Sequence, residues 1–559
     1  MLTTFTKGLT NGVAAAGTSL KVLGSAGIIR PYSPRTLARL GLIIRSWGTG
    51  PAGGFTSLAV RSPNGVGLID ELGSLTFGEM HARSNSLAHA LRERGVGEGD
   101  GIAIMCRNHR GFVDASIAAA KLGADSLYLN TAFAGPQLIE VLGRDKPKVL
   151  IYDEEFAGLV AAANVEVVVL AWTDSDLHDV PTLEELIEST DSVDLEPPTR
   201  HGRTVILTSG TTGTPKGAPR SEAGIGAAVA LLGSMPLKYG WRTHIAAPLF
   251  HTWGFAHFAL SMLLGSTMVL RRRFDPESCL EMVEKHQCES VVVIPVMLQR
   301  ILALPQERQD HYDLSRVKVV ASSGSALPGD LATTWMDQFG DNLYSTYGST
   351  EVAYAAIAGP EDLRAAPGTA GRPPYATVVK ILDQKGAEVA AGEAGRIFVG
   401  NGLLFEGYTG GGHKEVIDGL MSSGDIGRFG ADGRLYIEGR DDEMIVSGGE
   451  NVFPKEVEDC LARHQAVEEV AAIGIDDADF GKRLRAFVVL TADSGTSASG
   501  VTEDDLKGWV KENLARYKVP REIVFLGELP RNATGKVLKR DLVTYDAADV
   551  STDSSAQTE

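Results

Sequence analysis

The segment TSGTTGTPKG, Thr208 to Gly217, holds three glycines, five hydroxyl side chains, a proline and a lysine. It follows the apolar run Val205-Ile206-Leu207, so a buried strand delivers it. Successive small residues let backbone N–H groups converge on an anion, and hydroxyls with a lysine add further donors. A phosphate is the natural guest. The Walker pattern does not fit, because Lys216 is followed by Gly217 and the glycine spacing differs. A flexible linker fits poorly, since linkers do not carry this donor set at the end of a buried strand. Thr208, Ser209, Gly210, Thr211, Thr212, Gly213 and Lys216 are therefore candidate phosphate ligands.

Further constellations follow in order. PLFHTWGF, Pro248 to Phe255, is an apolar wall with one movable polar ring, His251, beside Trp253, Gly254 and Phe255. Alone it would read as a core aromatic cluster. SSGSALP, Ser322 to Pro328, and YSTYGSTE, Tyr344 to Glu351, pair small residues (Gly324, Ser325, Ala326) with Tyr347, whose ring offers a face for a purine. Gly348, Ser349, Thr350 and Glu351 come next, and a carboxylate is the right hard ligand for Mg²⁺. Ser422 to Glu458 carries Asp425, Arg440, Asp442 and the small-residue run Ser447-Gly448-Gly449. LPRNATGKVLKR, Leu529 to Arg540, carries Lys536.

Together these stretches resemble the adenylate-forming superfamily, which includes acyl-CoA synthetases, luciferases and peptide-synthetase adenylation domains. The chain looks most like the acyl-CoA synthetase, or fatty-acid–CoA ligase, branch. The resemblance runs from about Leu75 to Arg540. It implies ATP, Mg²⁺ and CoA as cofactors and a small carboxylic acid as substrate. It also implies roles. The glycine loop, Tyr347 to Thr350 and Gly324 to Ala326 would bind ATP and AMP, with Glu351 at the metal. Asp425 would accept from both ribose hydroxyls, and Arg440 would contact ribose and phosphate. His251, Trp253, Gly254 and Phe255 would line the acyl pocket. Asp442 would be the hinge, Ser447, Gly448 and Gly449 would face CoA, and Lys536, with His251 and Lys216, would be catalytic. The family often has an Asp after the hinge residue; here Glu443 stands there.

The implied reaction has two halves. A carboxylate attacks the α-phosphate of ATP and pyrophosphate leaves; the CoA thiol then displaces AMP. A lysine suits the first half because two anions meet there, and an inserted cation stabilises the charge gathered on phosphorus oxygens. Different needs in the two halves explain a mobile small domain. A carrier-dependent adenylation domain is a rival, but no carrier serine motif follows the small domain; an acyl-AMP ligase would carry an extra insertion, and none is evident. Retention of Lys216, Glu351, Asp425 and Lys536 together speaks against a non-catalytic nucleotide sensor. No obvious carboxylate stands near the HTWGF run or Tyr354 to hold an ammonium, which favours a fatty or aryl acid; the basic N-terminal arm tilts the expectation towards a medium- or long-chain fatty acid, with an aryl or sterol acid as the alternative.

The elements that must position these residues alternate. GSLTFGEMHARSNSLAHALRERGVGEGDGIAIM reads as strand, helix (Met80 to Arg94, with Leu87, Ala88 and Leu91 on one face) and strand (Ile102 to Met105). Helix 112–122 and strands 149–152, 167–170, 291–294 and 317–320 continue the pattern. The fold class is α/β, with mainly parallel sheets covered on both faces. After about Gly359 dense turns indicate a small β-rich subdomain. A last α+β unit follows Arg440, with helices at 454–463 and 503–514 and strands at 467–473 and 486–490. The expected division is a basic arm (1–60), a large domain (61–440), a mobile small domain (441–545) and a disordered tail (546–559).

With 559 residues the chain needs more than one core. A net charge of −18 argues against nucleic acid as a partner. Four scattered cysteines fit a reducing cytoplasm and neither a disulfide framework nor a zinc site. The N-terminus departs from the acidic average. Lys7, Lys21, Arg30, Arg35, Arg39, Arg45 and Arg61 precede or flank it without one acidic residue before Asp70. SPRTLARLGLIIRSWG reads as a helix from Ser33-Pro34, with Leu37, Leu40, Leu42 and Ile43 on one side and Arg35, Arg39 and Arg45 on the other. It could contact the inner face of the membrane, pack on the body, or be a transit peptide. Oligomeric state stays open.

Overall fold

Strand Gly101–Met105 shows how the chain builds its layers. Alternation sends Ile102 and Ile104 into one core and Ala103 and Met105 into another, all fully buried. Both faces of such a strand must be covered, so its neighbours are parallel and reached through helices. The computed structural model describes residues 17–133, 135–175, 178–207, 216–220, 225–409, 411–441, 443, 445–447, 450–477, 481–491, 501–532 and 535–543.

Two large sheets follow this logic. In the six-stranded sheet the order is Val167–Trp172, Val149–Asp153, Gly101–Met105, Asp125–Tyr128, Thr204–Leu207 and Gly217–Arg220, parallel except for the last pair. The eight-stranded sheet has a parallel centre (Leu343–Tyr347, Val319–Ser322, Ser290–Val293, Arg242–Ile245, Thr267–Val269, Val66–Asp70) and antiparallel edges at Ala356–Ala358 and Gly73–Thr76. Helix Phe77–Glu93 opens on a capping box: Thr76 Oγ1 accepts from the Glu79 N–H at 3.2 Å, and Glu79 accepts from the Thr76 N–H at 2.7 Å. Leu87, Ala88 and Leu91 are buried on its inner face.

The turn-rich stretch after Gly359 forms an antiparallel sheet of Val378–Leu382, Gly395–Gly400, Leu420–Phe429, Val416–Ile417 and Leu435–Arg440. The last unit is a five-stranded sheet of Glu450–Val452, Ile445–Ser447, Gly481–Leu490, Val467–Asp477 and Glu522–Phe525. Helices Pro454–Leu461 and Glu503–Asn513 pack on it through a core containing Val457, Leu461, Leu506 and Val510. The mainly parallel α/β fold expected from the sequence, with its β-rich and α+β additions, is present.

One expectation needs correction. Helix Pro34–Trp47 begins as read, with Ser33 Oγ accepting the Thr36 N–H at 3.1 Å. Its inner face, however, is Leu40, Ile43 and Trp47, while Leu37 and Leu42 are exposed. At about 100° per residue Leu37 lies at the edge of that face and Leu42 among the arginines. None of the helix is fully buried. It rests on helix Pro51–Arg61, where a Cβ on Gly53 would meet the Gly48 carbonyl. Residues 546–559 and most of the expected loop at 491–500 lie outside the described residues.

Candidate active site

Adjacent parallel strands Val319–Ser322 and Leu343–Tyr347 end side by side, with Ser322 opposite Ser345. The chain beyond each end therefore lies at the carboxyl edge of the sheet, where open α/β folds place ligands. Gly324 takes φ +99° there, and Ser323 Oγ donates to the Thr346 carbonyl at 2.8 Å, tying the two turns together. This brings Gly324, Ser325 and Ala326 next to Tyr347, Gly348, Ser349 and Thr350 on the wall of one cavity. A Cβ on Gly348 would strike the Ala353 carbonyl, so the turn needs glycine. Ser349 Oγ caps the next turn, accepting from the Glu351 and Val352 N–H groups at 3.2 and 3.3 Å.

Asp425 and Arg440 are cross-strand partners in the antiparallel sheet. Arg440 donates to Asp425 at 3.2 Å, and the Tyr347 hydroxyl donates to the other carboxylate oxygen at 2.5 Å. Burial raises the Asp425 pKa, opposed by Arg440. Burial and the facing carboxylate push the Tyr347 phenol well up.

Lys536 arrives from the small domain on a tight hairpin. Asn532 accepts the Lys536 N–H at 2.9 Å, and Arg531 donates to the Gly535 carbonyl at 2.5 Å. Gly535 takes φ +72° against Ile294 and Val296 of the large domain. Burial, then Arg440, lower the Lys536 pKa, while Glu443 and Asp425 oppose them. Lys536 and Asp425 thus feel each other's charge in the same pocket.

On the opposite side Glu351 accepts from the Tyr408 hydroxyl at 2.7 Å. The Lys216 ammonium lies 5.2 Å over the same Tyr408 ring. The second Glu351 carboxylate oxygen has no protein donor among the described residues, and both Glu351 and Thr350 line the cavity. One spare carboxylate oxygen beside a hydroxyl is a donor set that fits Mg²⁺, which keeps several waters and uses few protein ligands.

His251 precedes helix Thr252–Leu264, its ring 4.6 Å from Phe250. Burial pushes its pKa down to about 3, so it is a neutral ring near neutrality and its Nε2 has no partner among the described residues. Trp253 donates to the Val293 carbonyl at 3.1 Å, and Phe255 lies 5.1 Å from Tyr128. A Cβ on Gly254 would meet the Pro248 carbonyl. These residues line the same cavity, of about 2450 Å³, whose wall continues along Ala256, Ala259 and Leu263 to Leu40, Ile44 and Trp47.

Thr208, Ser209, Gly210, Thr211, Thr212 and Gly213 lie outside the described residues, as do Asp442, Gly448 and Gly449. The strands flanking the glycine loop, Thr204–Leu207 and Gly217–Arg220, pair antiparallel and fix both its ends. Ser447 pairs with Glu450 and Gly481 in the small-domain sheet.

Two residues escaped the sequence reading. Tyr408 holds Glu351 and underlies Lys216. Lys414 joins Arg440 around Gly424, where a Cβ would lie 3.3 Å from each cation. The only local signal is YTGGGHK, a tyrosine and a lysine framing glycines, and it matches no pattern by itself.

A buried Cys106–His109–Asp153 cluster could pass for a metal site. Its hydrogen bonds read otherwise. His109 Nδ1 accepts the Gly111 N–H at 3.1 Å, leaving Nε2 to donate to Asp153 at 2.8 Å. The other Asp153 oxygen accepts the Arg107 N–H at 2.9 Å. The cluster caps helix Arg110–Lys121.

Residues 55–409 match the AMP-binding enzyme family, and residues 456–536 match the AMP-binding enzyme C-terminal domain. The chain is 33% identical over 495 residues to a feruloyl-CoA synthase from an Amycolatopsis species, covering 87% of this chain and 96% of that one. It is 32% identical over 480 residues to an indoleacetate–CoA ligase from Aromatoleum aromaticum, covering 84% and 92%. An anthranilate CoA ligase in complex with anthranoyl-AMP superposes with a TM-score of 0.78 at 26% identity, covering 88% and 96%. The o-succinylbenzoate CoA synthetase from Bacillus subtilis, with its acyl-adenylate, gives 0.76 at 27%, covering 88% and 98%. The chain belongs to the AMP-binding enzymes of the adenylate-forming superfamily, and within it to the AMP-forming acid–CoA ligases, which use ATP, Mg²⁺ and CoA.

Proposed function

We propose that the acid is an apolar one with a long tail, a medium- or long-chain fatty acid. The carrying observation is one cavity whose wall holds Asp425 and Lys536 together with the apolar residues of helix Thr252–Leu264 and with Leu40, Ile44 and Trp47. At about 2450 Å³ it exceeds the roughly 300–1,000 Å³ of an ordinary ligand pocket; its wall also includes Pro454, Lys455, Gly474 and Lys539 of the last unit, so nucleotide, acid and thiol share that space.

In this reading Tyr347 and Gly324 to Ala326 receive the adenine, Asp425 the ribose hydroxyls, and Arg440 the ribose and phosphate. Thr208 to Gly213 and Lys216 hold the phosphates. Thr350 and Glu351 would hold Mg²⁺, which would neutralise phosphate charge there. Lys536 stabilises the charge that gathers as the carboxylate oxygen bonds to phosphorus and pyrophosphate departs. The thiol, guided by Ser447, Gly448 and Gly449, then attacks the acyl carbon and AMP leaves. Residues 441–545 swing about Asp442 relative to 61–440 between the halves. His251, Trp253, Gly254 and Phe255 shape the acyl wall; His251, neutral and closed in, acts there by shape rather than by carrying protons.

An aryl acid is the second reading, favoured by the identity to the feruloyl-CoA synthase and the indoleacetate–CoA ligase. Pyrophosphate release across short to long fatty acids, ferulate, indoleacetate, o-succinylbenzoate and a sterol acid separates the two. We expect kcat/KM to climb with chain length, with AMP as co-product. A ranking led by ferulate or indoleacetate replaces the fatty acid with an aryl one, and ADP as product removes the reading altogether.

A further inference from the structure

Helix Pro34–Trp47 lines the cavity through Leu40, Ile44 and Trp47, and residues 17–48 around it carry exposed apolar and cationic side chains. Of eleven exposed large hydrophobic side chains among the described residues, five fall between residues 20 and 44: Leu20 (64%), Ile29 (51%), Leu37 (54%), Leu42 (64%) and Ile44 (42%). Scattered exposed aliphatics need no explanation, but a cluster does. Between them stand Lys21, Arg35, Arg39 and Arg45, all exposed and none in an ion pair among the described residues. The neighbouring cations are already used: Arg30 stacks 4.2 Å over Tyr239, and Arg61 donates to the Met262 and Leu263 carbonyls at 3.1 Å. No acidic residue occurs up to Arg61 in a chain whose net charge is −18.

We infer that residues 17–48 dock on an anionic lipid surface and set the mouth of the acyl cavity against it. Charge selects the occupant. In a chain with a net charge of −18 this acid-free arm concentrates attraction to an anionic surface, which also favours one orientation. The exposed leucines and isoleucines add apolar contact at the headgroup level, the composition of an interfacial helix. No helix among the described residues is long and apolar enough to cross a membrane. Continuity gives the contact its purpose. Ile44 is both exposed and, with Leu40 and Trp47, part of the cavity wall, so docking here would bring the apolar end of the cavity next to lipid that holds the acid. That purpose rests on the fatty-acid reading; the docking itself does not.

The test is co-sedimentation of the full chain with vesicles of equal parts phosphatidylglycerol and phosphatidylcholine, against phosphatidylcholine alone. Binding is expected to the anionic vesicles at low salt, weakening as salt screens the arginines. Arg35→Gln/Arg39→Gln/Arg45→Gln should lower the partition coefficient on the order of a hundredfold, about fivefold per arginine, since each is worth about 1 kcal/mol near an anionic surface. Leu37→Ser/Leu42→Ser should lower it several-fold while keeping its salt dependence. Both variants should keep the wild-type rate on a water-soluble acid, which shows that they fold. Equal binding to neutral and anionic vesicles, or none at low salt, overturns the inference. So does a dimer that the leucine variant dissociates, because the face then belongs to a second copy. An aryl substrate preference with intact vesicle binding removes the fatty-acid reading and leaves the docking standing.

Discussion

Lys536 is placed where a cation is hardest to keep. Burial and the Arg440 guanidinium both lower its pKa, and Asp425 and Glu443 only partly compensate. The protonated form is the one that stabilises charge on phosphorus oxygens, so its loss at alkaline pH must cost rate. We expect the adenylation half-reaction to fall as pH rises, beginning below the ordinary lysine value of about 10.4. Unfolding would not explain that fall: the folded state releases this proton first, so in the same window the group adds stability as pH rises. Lys536→Ala should slow pyrophosphate release on the order of 10²-fold or more and remove the alkaline limb. Thioester formation from supplied acyl-AMP should survive far better. Single-turnover assays of each half check this, and equal losses in both would refute the assigned role. His251 contributes no acid limb near neutrality, because burial holds its pKa at about 3.

The hairpin that carries Lys536 depends on one glycine. Gly535 has φ +72°, and a Cβ there would run into Val296 Cγ1, a stiff β-branched side chain on helix Pro295–Leu302. The left-handed conformation alone costs a non-glycine residue roughly 1–2 kcal/mol. Gly535→Ala should therefore slow adenylation about tenfold, the equivalent of about 1.4 kcal/mol, and leave thioester formation nearly intact. A variant that slows both halves alike would mean the hairpin is needed beyond this packing. The element scale also shows what could be read from the chain. Tyr347 stood out for a ring that suits a purine, and Asp425 and Lys536 stood out because their stretches resemble the family's motifs. Their meeting depends on register (Asp425 opposite Arg440, Ser322 opposite Ser345), which single stretches do not encode. Tyr408 and Lys414 stayed hidden for that reason: their partners lie 57 residues away at Glu351 and across the sheet at Gly424. The face of helix Pro34–Trp47 was misread because spacing alone leaves its inner side open until helix Pro51–Arg61 selects Leu40, Ile43 and Trp47.

At the scale of the whole molecule the proposed course of the acyl tail along the cavity can be tested. Helix Thr252–Leu264 has 13 residues, about 20 Å of length, beginning beside His251 and ending near Arg61. Its lining face includes Ala256, Ala259 and Leu263. Across from it stands Gly54, where a Cβ would come within 3.0 Å of the Met262 sulfur, so the two helices already approach closely. Ala259 lies near the middle of this helix, lines the cavity and is small. Ala259→Phe should block the tail of a long acid and spare a short one. We expect kcat/KM to drop at least tenfold for long-chain acids, with short-chain rates within about twofold of wild type, since a ring contact of about 1.4 kcal/mol per tenfold suffices. Overpacking by the ring costs roughly 1–3 kcal/mol of stability, so the thermal midpoint should fall without loss of the folded state. Vesicle binding should not change, because Ala259 lies outside residues 17–48. Rates that fall alike for short and long acids would show that the tail does not run along this helix, and the cavity beyond Ala259 would then have no part in acid selection.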